Sequence, residues 1–124
     1  MKNVVSTDEA PEAVGAYSQG VATDDLVFTA GQIPMTPDGE MVEGTVAEQT
    51  DRALKNVAAV LQAGGSSLED AVKVTVFLDD IDDFDEMNSK YKGFFDDEPP
   101  SRSAVEVGEV PKGAAVEIEA VGAR

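Results

Sequence analysis

The stretch AVKVTVFL, residues 71–78, decides the architecture. It is rich in β-branched residues and alternates in a period of two, which predicts a strand. Val72, Val74, Val76 and Leu78 are expected on one face, with Lys73, Thr75 and Phe77 on the other. Phe77 makes the second face partly apolar, so both sides of this strand call for cover.

Helical signals stand on either side. Upstream, Thr45-Val46-Ala47-Glu48 has the form of a capping box, in which the threonine side chain caps a free amide and the glutamate reaches back. Val46, Ala53, Val57, Val60 and Leu61 then recur on one helical face, and Gly64-Gly65 ends the run. Downstream, a second helix is expected to start near Asp82 or Asp83, with Glu86 as its capping partner. Its apolar stripe is Phe84, Met87, Tyr91, Phe94 and Phe95. Asn88 falls inside that stripe, where an amide calls for a loop partner or a ligand. Val4-Val5 and Leu26–Ala30 read as early strands, and Pro37-Asp38-Gly39-Glu40 as a turn. Ser103–Val107 and Ala115–Val121 read as two late strands joined through Val110-Pro111-Lys112-Gly113. The order β-β-α-β-α-β-β predicts a single α+β domain over residues 1–124, with two helices on one face of one mixed sheet. The other face then needs cover, and a homo-oligomer packed sheet against sheet supplies it.

Composition narrows the function. The chain has 124 residues, 25 acidic and 9 basic, no histidine and no cysteine, and a net charge of −16. Such a surface repels phosphate backbones and anionic lipid, which disfavours nucleic-acid and membrane partners. The dispersed acidic doublets, Asp24-Asp25 and Asp82-Asp83 among them, read as solvation of the kind suited to high salt rather than as one binding face. No leader peptide or membrane span is expected, and the reading is cytoplasmic.

Histidine- and cysteine-based catalysis is excluded, and no phosphate loop or calcium-binding loop occurs. What remains is Arg102, behind Pro99-Pro100, together with Glu117 and Glu119 on one face of the last strand. If the last two strands form an antiparallel hairpin, Arg102 comes close to the end of the last strand. It then makes either a cross-strand salt bridge or a fork for a substrate carboxylate, with a glutamate moving protons.

Six segments in order resemble the RidA (YjgF) family of reactive-intermediate deaminases, over almost the whole chain. They are Ala10-Pro11 through Gly15-Ala16-Tyr17-Ser18-Gln19-Gly20, Ala30-Gly31-Gln32-Ile33-Pro34, and Gln49-Thr50 through Asn56-Val57. Next comes Val72–Leu78 with Asp83-Phe84, Asn88 and Tyr91, then Pro100–Val105, then Val110–Gly113 with Val116–Ala120. The resemblance implies the YjgF (chorismate-mutase-like) fold, a homotrimer with clefts between subunits, and no metal or organic cofactor. The implied activity is that of a 2-iminobutanoate/2-iminopropanoate deaminase, hydrolysing enamine/imine acids such as 2-aminoacrylate to 2-keto acids and ammonium. Carried over by position, Arg102 grips the substrate carboxylate and Glu117 positions the attacking water. Tyr17, Gly31 and Asn88 line the cleft. Three positions depart from the family's usual residues: Ala16 for proline, Ala30 for serine and Ala104 for cysteine. Two other classes stay open: a non-catalytic trimer that binds or senses small carboxylates, and a ribonuclease or translation inhibitor, which the charge argues against.

Overall fold

The computed structural model describes residues 1–124. It is one mixed six-stranded sheet with two α-helices on one face, an α+β domain as the sequence predicts. The strands are β1 (Asn3–Val5), β2 (Gly20–Ala22), β3 (Leu26–Thr29), β4 (Ala71–Leu78), β5 (Ser101–Glu106) and β6 (Val116–Ala123). The helices are α1 (Val46–Ala63) and α2 (Phe84–Tyr91). The spatial order is β1-β2-β3-β6-β4-β5, with every pair antiparallel except β4 and β5.

The capping box forms as read. Glu48 N–H donates to Thr45 Oγ1 at 3.2 Å, and Thr45 N–H donates to Glu48 Oε1 at 2.9 Å. From that start α1 lays Ala53, Leu54, Val57, Val60 and Leu61 onto the sheet, all fully buried. They meet Val74, Val76, Leu78, Val116 and Ile118 in a single core. Each of these strand residues lies on the helix-facing side of β4 or β6, as the period of two requires.

Four expectations are corrected. The sequence predicts five strands, but β2 is a sixth. It is only three residues long and opens on Gly20. A Cβ at Gly20 would come within 2.6 Å of Val60, so α1 can approach this strand only over a glycine. Val72 does not join the buried face; it is 47% exposed. A register shift between Ala71 and Lys73 opposite β6 advances the alternation by one residue, so Ala71 turns inward instead. The second helix is not capped by Asp83 and Glu86. Asp80 accepts from Asp82 N–H at 2.9 Å and opens a short 3-10 turn over Ile81–Asp83 ahead of α2. Glu86 instead accepts from Ala47 N–H at 3.0 Å, joining α2 to the start of α1. Finally, β5 and β6 are not a hairpin. β4 lies between them, parallel to β5 and antiparallel to β6.

The face away from the helices is bare. Phe28 and Val105 stand on it, 42% and 43% exposed, beside the half-buried Phe77. No helix is long and apolar enough to cross a membrane.

Ile118 sits fully buried in β6, paired with Val76 on one side and with Gln32 on the other. Ile118→Ala is expected to destabilise the fold by about 2–5 kcal/mol, the usual cost of a core cavity. Chemical denaturation at fixed protein concentration measures it.

Candidate active site

The register of the three neighbouring strands decides where the charged residues go. Arg102 on β5 is level with Val74 on β4, and Glu117 on β6 is level with Phe77 on β4. Val74 and Phe77 are three apart on a pleated strand, so they point to opposite faces. Arg102 therefore faces the helices, and Glu117 faces the bare side.

On the helix side, Arg102 is seated by α2. Its Nη1 donates to Asn88 Oδ1 at 2.7 Å. Its guanidinium carbon lies 4.7 Å from the centre of the Tyr91 ring and 5.3 Å from that of Phe84. Phe84, Asn88 and Tyr91 are four and three residues apart, one stripe of a helix turned toward the sheet edge. A cation over aromatic faces, with one edge bonded to an amide, is held in place while its remaining donors stay free. No carboxylate pairs with it. The two ion pairs of the chain both involve Asp51, with Lys55 at 2.8 Å and Lys90 at 3.6 Å. Of the two alternatives the sequence leaves for Arg102, the cross-strand salt bridge is absent, because the strand that carries the glutamates is not β5's neighbour. Pro99, Pro100 and Phe95 complete a cavity of about 360 Å³ around Asn88, Tyr91 and Arg102.

Tyr91 is 4% exposed and its hydroxyl has no partner. Burial pushes the phenol up to about 12, and the Arg102 charge partly offsets that.

On the bare side, Glu117 lines a separate cavity of about 810 Å³ with Tyr17, Gly31, Met35 and Lys112. Gly31 lies directly against the Glu117 carboxylate, and a Cβ there would overlap it. Burial, and then the charge of Glu119, raises the Glu117 pKa above the ordinary carboxylate value. Tyr17 is 55% exposed at the rim. The segment bearing it is held by Gln19, whose Nε2 donates to Thr7 O at 3.0 Å and Pro11 O at 2.8 Å while Oε1 accepts from Thr7 N–H at 2.7 Å. Lys112 occupies the left-handed region, φ 59°, in the turn closed by Ala114 N–H to Pro111 O at 3.2 Å. Ala30, one of the departures, also borders this cavity.

The structure thus brings Asn88 to Arg102, and Tyr17 and Gly31 to Glu117, but it does not bring the two groups together within one chain. The sequence reading takes Phe84 and Tyr91 as core stripe only. Their spacing around Asn88 is the signal that they also form the seat of the arginine. No cluster of three or more metal-binding side chains occurs.

A family model described as endoribonuclease L-PSP matches residues 7–124. A RutC family protein of Pyrococcus abyssi is 46% identical over 121 residues, 97% of this chain and 95% of its own. The human 2-iminobutanoate/2-iminopropanoate deaminase is 45% identical over 122 residues, 98% of this chain and 89% of its own. Among solved structures, Escherichia coli TdcF with bound serine superposes with a TM-score of 0.93 at 43% identity, covering 98% of each chain.

Two outcomes follow from the site's electrostatics. Because the folded chain raises the Glu117 pKa, it binds more protons than the unfolded chain between the ordinary carboxylate range and the raised value. Stability from this group therefore falls as pH rises through that window. Glu117→Gln is expected to match wild type in thermal midpoint at about pH 4 and to exceed it at about pH 8. Equal midpoints at both would show that the carboxylate carries no such penalty. Tyr91→Phe removes a buried hydroxyl that has no partner and keeps the ring under Arg102. It is expected to leave stability within about 1 kcal/mol of wild type or to raise it, as denaturant midpoints would register.

Proposed function

Because the chain belongs to the endoribonuclease L-PSP family, in which the RidA (YjgF) deaminases fall, we propose that it hydrolyses short 2-imino acids, such as the imine tautomer of 2-aminoacrylate, to 2-keto acids and ammonium. One observation carries this reading. In a chain of net charge −16, Arg102 is stacked on two rings and bonded to an amide, yet no carboxylate pairs with it. A guanidinium kept free in a cavity amid excess acid suits a carboxylate brought by a ligand.

In this reading Arg102 holds the substrate carboxylate in a bidentate pair, with Asn88 fixing the guanidinium plane. Glu117 accepts a proton from a water as its oxygen attacks C2, and the C=N electron pair moves onto nitrogen. Glu117 returns that proton to the nitrogen to give the carbinolamine, then takes the hydroxyl proton and passes it to the amine, so that the C–N bond breaks with its electron pair on nitrogen, ammonia leaves and C2 becomes the ketone. The raised pKa of Glu117 suits this exchange, since a base works best with a pKa near the working pH. Tyr17 and Gly31 bound the space in which the imine carbon sits. Neither a metal nor an organic cofactor takes part.

Arg102 and Glu117 face opposite sides of one sheet, so a complete site on this reading takes two copies. One supplies the arginine half and the next supplies the glutamate half. A homotrimer makes three such clefts and covers the bare face that exposes Phe28 and Val105. The same clefts without turnover would make a small-carboxylate-binding trimer, and the serine bound to TdcF favours keeping that second reading. RNA cleavage is disfavoured by the net charge and the absence of histidine.

The test is a coupled assay in which a threonine dehydratase generates the imine from threonine or serine and keto-acid formation is followed. Wild type is expected to accelerate formation. Arg102→Ala is expected to lose about 10- to 150-fold in kcat/KM, the size of a charge-assisted contact, with the fold intact by circular dichroism. An undiminished variant would remove Arg102 from the mechanism. A wild type that binds 2-ketobutyrate without accelerating hydrolysis would favour the binding trimer.

A further inference from the structure

The loop that presents Gly31 to Glu117 is fastened on two sides. Toward β6, Gln32 N–H donates to Ile118 O at 2.7 Å and Ile118 N–H donates to Gln32 O at 3.0 Å. Toward α1, Asn56 Nδ2 donates to Ile33 O at 3.2 Å and to Met35 O at 2.8 Å, on either side of Pro34. Asn56 is fully buried. Its Oδ1 accepts from Arg52 Nη2 at 2.9 Å, one helical turn earlier, so its carboxamide orientation is fixed by a charged donor. Arg52 pairs with no carboxylate, and its buried Nε has no partner. Asparagine at the centre of a packed helix face costs desolvation that an aliphatic residue would avoid. Both Nδ2 hydrogen bonds of that amide go to the loop, whose Ile33 and Met35 line the Glu117 cavity.

We propose that Asn56, oriented by Arg52, is a positioning residue for Glu117. It touches neither the cavity nor the carboxylate. It fixes the 31–35 loop so that Gly31 stays pressed on the carboxylate and excludes water from that side. The inference rests on the deaminase reading only for its kinetic readout. The other titratable groups around Glu117 are Glu119 on β6, Glu12 and Tyr17 on the N-terminal segment, and Glu109 and Lys112 at the turn before β6. None of them is bonded to Asn56, so replacing it leaves their charges unchanged.

The test compares Asn56→Ala, and the milder Arg52→Met, with wild type and in a Glu117→Gln background. The expected result is a loss of about 10- to 100-fold in kcat with little change in KM, a partial share of the usual acid–base contribution. The acid limb of the pH–rate profile should move to lower pH as water reaches the carboxylate. In the Glu117→Gln background the same substitutions should cost less than about threefold, because residues acting as a unit are not additive. Equal losses in both backgrounds would overturn the proposal and leave Asn56 a general packing residue. If Asn56→Ala does not fold, Arg52→Met carries the test. Carbon-13 NMR titration of Glu117 in wild type and Arg52→Met reads the same effect without turnover. A downward shift in the variant supports the proposal even if wild type proves inactive as a deaminase, and an unchanged titration refutes it.

Discussion

The pleat of β4 is the constraint on which the rest of this structure depends. Its helix-facing residues, Val74, Val76 and Leu78, are fully buried and cannot move to the other face without emptying the core. Its neighbours inherit that phase. β5 is in register with it and so turns Arg102 toward α2, while β6 is in register with it and so turns Glu117 away. A one-residue slip of either strand would exchange buried and exposed sets along its whole length. The placement of both charged groups is therefore fixed by hydrophobic burial, which is far larger than any single polar contact they make.

The same phase explains how Arg102 can stay unpaired in so acidic a chain. Glu117 and Glu119 are both on the opposite face, shielded by the sheet. On its own face the arginine looks onto aromatic rings and an amide, and Asp96, which also lines the cavity, does not pair with it. An ion pair at this position would have to be broken and desolvated before a ligand carboxylate could bind. A cation–π seat needs no such exchange, since the rings hold the guanidinium plane while leaving donors available. Excess acid elsewhere does not defeat this arrangement, because those carboxylates are dispersed on the solvated surface and only Asp51 enters ion pairs.

Much of this was legible in the chain, for reasons that separate local from distant causes. The capping box over Thr45–Glu48, the stripe of α1 and the core face of β4 beyond Val72 all depend on residues close in sequence, and all are seen. The arginine behind two prolines was legible as an anomaly of charge, and its partner Asn88 as an anomaly of polarity. What failed depends on distant partners. The bulge at Ala71 and Lys73 exists only against β6, so nothing in AVKVTVFL itself signals that Val72 turns out. The insertion of β4 between β5 and β6 cannot be read from two consecutive strand patterns, which look like a hairpin whenever their connection is short. Glu86 matched a capping pattern but found a free amide, that of Ala47, on another helix. The three-residue β2 went unread, and the need for glycine at its start shows only against Val60 above it.

The division of the charged groups also bears on why the bare face is left bare. Phe28, Phe77 and Val105 are apolar enough to be worth covering, yet a third helix over them would seal Glu117 away from any substrate. In the proposed oligomer a second copy of the chain would cover the face differently, because its edge could bring in an arginine half-site as it buried these side chains. On that reading the exposed apolar surface and the incomplete site have one cause. The sheet separates the two halves within a chain, and the proposed association would rejoin them between chains.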